Sequence, residues 1–168
     1  MKAYQIFQTI STDLKHEIYQ HIHTNHKGAY DLVIAGLAQA RKFRPVFLLQ
    51  KPKLEQFKWM SDLLKIKTND SISEQVLQLW LLKGQQKMLS TFLDALEIKH
   101  HEGEIETLPE EISAKQAKAG IAALLKEYPA EKVAVYLTLF QGQRPGGWSN
   151  LTEAIAAEPA LKLQVPSK

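Results

Sequence analysis

The stretch from Ser71 to Ile98, SISEQVLQLWLLKGQQKMLSTFLDALEI, constrains the fold more than any other part of the chain. Val76, Leu77, Leu79, Trp80, Leu81 and Leu82 put apolar side chains on too many sides of a helix for one side to sit in water. Such a helix must be largely buried. Ser71 with Glu74 makes an S-x-x-E pattern that predicts its start, and Gly84 marks a break. Beyond the break, Met88, Leu89, Phe92, Leu93 and Leu96 recur at three- and four-residue spacing and form one apolar stripe. The pattern predicts a helical hairpin with an oily first arm and an amphipathic second arm, on which the other helices pack.

Those other helices are readable from the same signals. Ala3, Ile6, Phe7 and Ile10 suggest a short amphipathic helix, and Ser11, Thr12 and Asp13 offer capping oxygens for the next, striped by Leu14, Ile18 and Ile22. Tyr30 to Phe43 is strongly apolar, and its small residues Ala35, Gly36, Ala38 and Ala40 invite close approach of a neighbour. Pro45 and Pro52 bracket a short helical turn, Val46 to Leu49. A helix from about Lys53 to Lys65 follows, with Leu54, Phe57, Leu63 and Leu64 expected to face inward. Lys99 to Ile112, with Gly103, Pro109 and five glutamates, is the longest connection. Ser113 with Gln116, preceded by Ile112, is a second capping box. Pro129 opens a helix with Val133, Tyr136, Leu137 and Phe140 inside, and Asn150 with Glu153 caps a last one ending before Pro159. No segment alternates with a period of two, so strands are not needed.

The fold class predicted is all-α: one domain over residues 1–168, with eight to nine helices stacked as antiparallel hairpins. Residues 71–141 would hold the core hairpins and 160–168 an irregular tail. Leu81-Leu82-Lys83 recurs as Leu124-Leu125-Lys126, which suggests a degenerate repeat of 43 residues.

Composition narrows the function classes. A chain of 168 residues with 45% hydrophobic content can bury a real core. The absence of cysteine removes disulfides, thiolate metal sites and cysteine nucleophiles, and suits a cytoplasmic location. No apolar run approaches the roughly 20 residues a membrane span needs, and the first residues make a poor signal peptide, so no membrane partner is expected. No nucleophile elbow, S-x-x-K pattern or glycine-rich phosphate loop occurs, so no catalytic residue and no cofactor is expected.

Three constellations remain. His16-Glu17-Ile18-Tyr19-Gln20-His21 narrowly misses H-E-x-x-H, because histidines five apart stand about 140° apart on a helix. His100 and His101 beside Glu102, Glu104 and Glu106 have the ligand types a divalent metal accepts, but no second cluster completes a shell, so no metal ligand is assigned. The third is the basic stretch, with eight Lys or Arg against two acids over 41–67. There Arg41, Lys42, Arg44, Lys51, Lys53 and Lys58 are interleaved with Phe43, Phe47, Phe57 and Trp59, a mixture that suits phosphates and bases if the rings are exposed. Phe47 and Phe57 lie in apolar company and are expected in the core, which would leave only a basic rim. Arg144 and Trp148, in a Pro-Gly-Gly loop, add a further contact candidate, with the indole expected more readily as a plug at the bundle end.

The first expectation is a non-enzymatic protein–protein interaction or adaptor protein. Nucleic-acid binding through 41–67 comes second, and a metal-dependent enzyme using the 100–106 loop third. The expected partner is an unidentified protein, with nucleic acid the less favoured choice.

Overall fold

A computed structural model describes residues 1–105, 107–143 and 145–164. The chain is all-α: the described residues form ten α-helices and two short 3-10 turns, with no strand. It divides into two compact units, residues 1–80 with Gln164, and residues 81–163.

The first unit contains α1 (Ala3–Thr9), α2 (Thr12–Asn25), α3 (Lys27–Ala40), α4 (Pro45–Leu49), α5 (Lys53–Leu64), a 3-10 turn (Lys67–Asn69) and most of α6 (Asp70–Gly84). Ser11 caps α2 through its side chain, which accepts from the Leu14 amide at 3.2 Å. The stripe read on α2 is the buried one: Leu14, Ile18 and Ile22 face inward, joined by Tyr19. An aromatic cluster sits beside it, with Phe57 packed on Tyr19, Tyr30 and His16. Gly36 of α3 faces Ile72 of α6, since a Cβ there would stand 3.1 Å from Ile72 Cδ1.

The start of α6 differs from expectation. Ser71 lies inside the helix, which runs on from the 3-10 turn at Asp70. Asn69 and Ser73 explain the shift. Both are buried, and they satisfy backbone carbonyls at the end of α5: the Asn69 amide donates to Leu63 O and the Ser73 hydroxyl to Leu64 O. Asp70 caps a different helix, accepting from the Tyr4 amide of α1 at 3.0 Å.

The second unit begins with the last turn of α6 and holds α7 (Gln86–Ala95), α8 (Ala114–Glu127), α9 (Ala130–Gly142), α10 (Ser149–Ala157) and a 3-10 turn (Pro159–Leu161). Helix α8 is its centre and packs on α7, α9 and α10. Its start is the capping box read from sequence: the Gln116 amide donates to Ser113 Oγ, the Ser113 amide donates to Gln116 Oε1, and Ile112 is buried. Gln116 also reaches Leu96 O at 2.7 Å, which ties α8 to the end of α7. Helix α10 begins at Ser149, so Asn150, expected as its cap, lies inside the helix, and its side chain donates to Ile112 O. No helix among the described residues is long and apolar enough to cross a membrane.

Candidate functional site

The strongest candidate lies in the first unit, on the chain that joins α3 to α5. Helix α3 ends in a double hydrogen-bonded reversal. The Lys42 amide donates to Gln39 O and the Phe43 amide to Ala38 O, with Lys42 in the left-handed region at φ 58°. This is the Schellman arrangement, with lysine where glycine is commoner. Arg44 is extended, Pro45 opens α4, and α4 stops after five residues. Pro52 then sets the entry to α5.

Two prolines so close together leave α4 too little length to bury a whole face. Among the described residues from Gln39 to Glu55, Leu48 alone is buried, at 1% exposure. Val46 and Phe47 beside it are 54% and 56% exposed. Phe43 is half exposed, and Leu49 and Leu54 also face outward. Five of the nine exposed large hydrophobic residues among the described residues therefore fall within 43–54. Phe43 is the hinge of an aromatic group, with its ring 6.3 Å from both Phe47 and the half-buried Trp59.

The basic residues flank this group along the chain. Arg41, Lys42, Arg44, Lys53 and Lys58 are exposed. Lys51 is half-buried, with its ammonium 5.1 Å above the Phe47 ring and 3.2 Å from Glu55. Glu55 is the one acid in 41–59. Lys53 donates to Gln20 of α2.

Two expectations are corrected here. Phe47 is not a core residue. The core position on α4 goes to Leu48, and the Pro-to-Pro segment has no second inward position to offer. Leu54, expected to face inward, is 68% exposed, because Phe57, Met60 and Leu64 already occupy the buried side of α5. Phe57 is in the core as expected.

Sequence reasoning missed the residue that holds this loop in place. Gln56 is buried, and its amide donates to Leu49 O and Lys51 O while its carbonyl accepts from the Tyr30 hydroxyl at 2.8 Å. Burial pushes the Tyr30 phenol above its ordinary pKa, with Asp31 adding to the effect, so it remains a donor. The available signal was a lone amide on the apolar side of α5, since a buried glutamine must find partners.

The other candidates fare differently. Trp148 is fully buried and unavailable to a partner. Its indole donates to Pro109 O at 3.0 Å, and its backbone is clamped by Gln141, so the side chain is held inside the second unit. Glu111 fixes the same corner by accepting from the Ser149 hydroxyl and amide, and these bonds hold its carboxyl below the usual range. Arg144 lies outside the described residues, as does Glu106.

His100 lines a cavity of about 430 Å³ with Lys99, His101, Glu104 and Thr107. Both of its ring nitrogens are engaged. Nδ1 accepts from the Gly103 amide, which leaves Nε2–H to donate to Asp94 at 3.0 Å. An imidazole closed in this way offers neither a free lone pair for a metal nor a base for proton transfer. It secures a tight turn, in which Glu102 and Gly103 are left-handed between paired His101 and Glu104. No group of three or more His, Asp or Glu among the described residues is placed to hold a metal ion. The histidines of α2 pack on rings instead: His16 on Phe57, His23 on Tyr30, and His21 on His26.

No protein-family model matches this chain, and neither a curated protein nor a solved structure is found to be similar to it.

Proposed function

We propose that this chain is a non-enzymatic interaction or adaptor protein that meets an anionic partner through the basic, apolar face at 41–59. One observation carries the reading: six basic residues and five outward-facing large hydrophobics share the segment 41–59, and Leu48 is the one buried side chain between Arg41 and Glu55. Exposed apolar side chains this concentrated mark contact surfaces. The cations around them supply attraction at a distance and select the sign of the partner.

Immobilised heparin is a sufficient probe of the charge. The protein is expected to bind at low salt and to elute earlier when Arg41, Arg44 and Lys53 are reversed to glutamate. Passage through the column without retention, or equal retention of the charge-reversed variant, would count against the reading. The apolar part has its own check. Phe47→Ser should leave the melting temperature within a degree or two of the parent, since an exposed side chain contributes little to the fold. A large drop would make the residue structural.

Nucleic acid is the second reading. The exposed rings of Phe43 and Phe47 favour it, since bases stack on such rings. It ranks lower because Val46, Leu49 and Leu54 gain nothing against phosphates or sugars.

A further inference from the structure

The face at 41–59 separates apolar from charged residues along the chain in a way that identifies its partner more closely. Residues 45–50 carry no charge. Arg41, Lys42 and Arg44 precede them, and Lys51, Lys53 and Lys58 follow. Along the chain, an apolar tip thus lies between two groups of cations, which together make its collar.

We propose that this tip docks peripherally on an anionic phospholipid surface. Helix α4 sets Val46, Phe47 and Leu49 below the headgroups, and the collar lies at the level of the phosphates. The inference rests on the reading that 41–59 is a contact face for an anionic partner, and it names that partner.

Four features favour lipid over the alternatives. Three of the exposed residues, Val46, Leu49 and Leu54, are aliphatic, and hydrocarbon rewards their burial where a nucleic acid does not. The collar has one sign, and its single acid, Glu55, is already paired with Lys51. A second copy of this chain would bring like charges together in a two-fold contact. A protein partner would need an acidic ring matched to this apolar centre, whereas an anionic bilayer presents negative headgroups over hydrocarbon at every point. Long basic side chains suit that boundary, because their stems lie along apolar surface while the charge stays in water. Lys51 already sits at such a boundary, with its ammonium 5.1 Å from the centre of the Phe47 ring and 3.2 Å from Glu55. Finally, Trp59 stands half-buried beside Phe43, and indole rings favour the interface between headgroup and hydrocarbon. The lack of a spanning helix bears on crossing a bilayer and not on resting at its surface.

The test is cosedimentation of the whole protein with vesicles of phosphatidylcholine alone, and of phosphatidylcholine with about one-third phosphatidylserine. Binding is expected to the second kind, weakening as salt rises. Trp59 should report it by a shift of emission to the blue, since Trp80 and Trp148 are already fully buried. Arg41→Glu with Arg44→Glu should weaken binding by about fivefold or more for each residue changed. Phe47→Ser with Leu49→Ser should weaken it at least about tenfold at unchanged charge. Circular dichroism of each variant should match the parent, because all four side chains are exposed.

Failure to sediment with phosphatidylserine vesicles at low salt would overturn the inference. Binding that ignores the Phe47 and Leu49 changes would also overturn it, since adhesion would then be by charge alone. A mixed-sequence oligonucleotide and heparin serve as controls that separate the two levels of the argument. If either binds through Arg41 and Arg44 while vesicles do not, the lipid assignment falls and the anionic contact face stands. If none of the three binds, both fall.

Discussion

Gln56 is a polar side chain on the buried side of α5, and three groups depend on it: Leu49 O, Lys51 O and the Tyr30 hydroxyl. Gln56→Leu keeps the volume and removes all three partners. The change should cost about 1–3 kcal/mol, read from urea denaturation, because the hydroxyl and carbonyls lose their bonds at a poorly hydrated site. It should also loosen 49–51, seen as faster amide exchange there. Unchanged stability would mean that water replaces the amide. His23 allows a second test. Its folded pKa lies below the ordinary 6.5, first because burial disfavours the charged ring and then because Lys53 and Lys27 stand near. The unfolded chain therefore takes up a proton first. The stability associated with neutral His23 is complete above about pH 6.5 and is lost as pH falls through the lower, folded value. Between pH 7 and pH 5 the parent should lose more melting temperature than His23→Gln. Parallel curves would contradict the shift. What composition and spacing revealed at single positions was the sign of burial for long periodic runs, such as Leu14, Ile18 and Ile22. Phe47 and Leu54 were misread because hydrophobicity alone does not say whether a neighbour is there to cover the side chain.

Helix ends were read well where one side chain does one job, and poorly where it does another. Ser113 with Gln116 and Ser11 cap as their patterns say. Ser71 and Asn150 do not, because neighbouring carbonyls and helices claim the polar groups around them. The ends of α3 and α7 share a feature that no pattern announced: Lys42 and Glu97 are both left-handed at the reversal, with the next amide bonded back to Ala38 O and Leu93 O. Since Glu97 lies outside the candidate face, the strain at Lys42 is a property of this turn and not a mark of function. Lys42→Gly should raise stability by about 0.5–1 kcal/mol, by relieving a conformation glycine adopts freely. A loss would show that the lysine stem supports the turn. Two helical glycines should behave in opposite ways. Gly28→Ala meets nothing within 4 Å and should stabilise by about 0.4–1 kcal/mol. At Gly120 an added Cβ would fall 2.5 Å from Phe92 Cε2. That ring is held between Tyr136 and Phe140, so Gly120→Ala should cost about 1–3 kcal/mol despite its better helix propensity. Thermal melts of the pair decide both.

Taken as a whole, the chain announces its class through periodicity. Every long run with a spacing near 3.6 is a helix, and far-ultraviolet circular dichroism should show helix with no sheet component. The division into two units was not readable, because it falls inside α6, between Trp80 and Leu81, where the sequence is most uniformly apolar. A continuous hydrophobic run carries no mark of which core each side chain joins. The candidate face was half readable: its charges stand in plain view at 41–58, whereas its apolar part emerges only from how little of α4 is covered. Iodide quenching gives a test on the intact molecule. Among its three tryptophans, all in the described residues, Trp59 alone is partly exposed, so quenching should reach a minor share of the emission. Quenching of most of it would mean that Trp80 or Trp148 is open to solvent.

Leu48 and Gln56 are the only deep roots of the stretch between the two prolines. Substitutions at Phe43, Val46, Phe47 or Leu49 should therefore change the character of the surface while leaving the body that carries it intact. If 41–59 is the contact face proposed above, its affinity can drift, sharpen or change its target under selection without first spending the margin that keeps the protein folded.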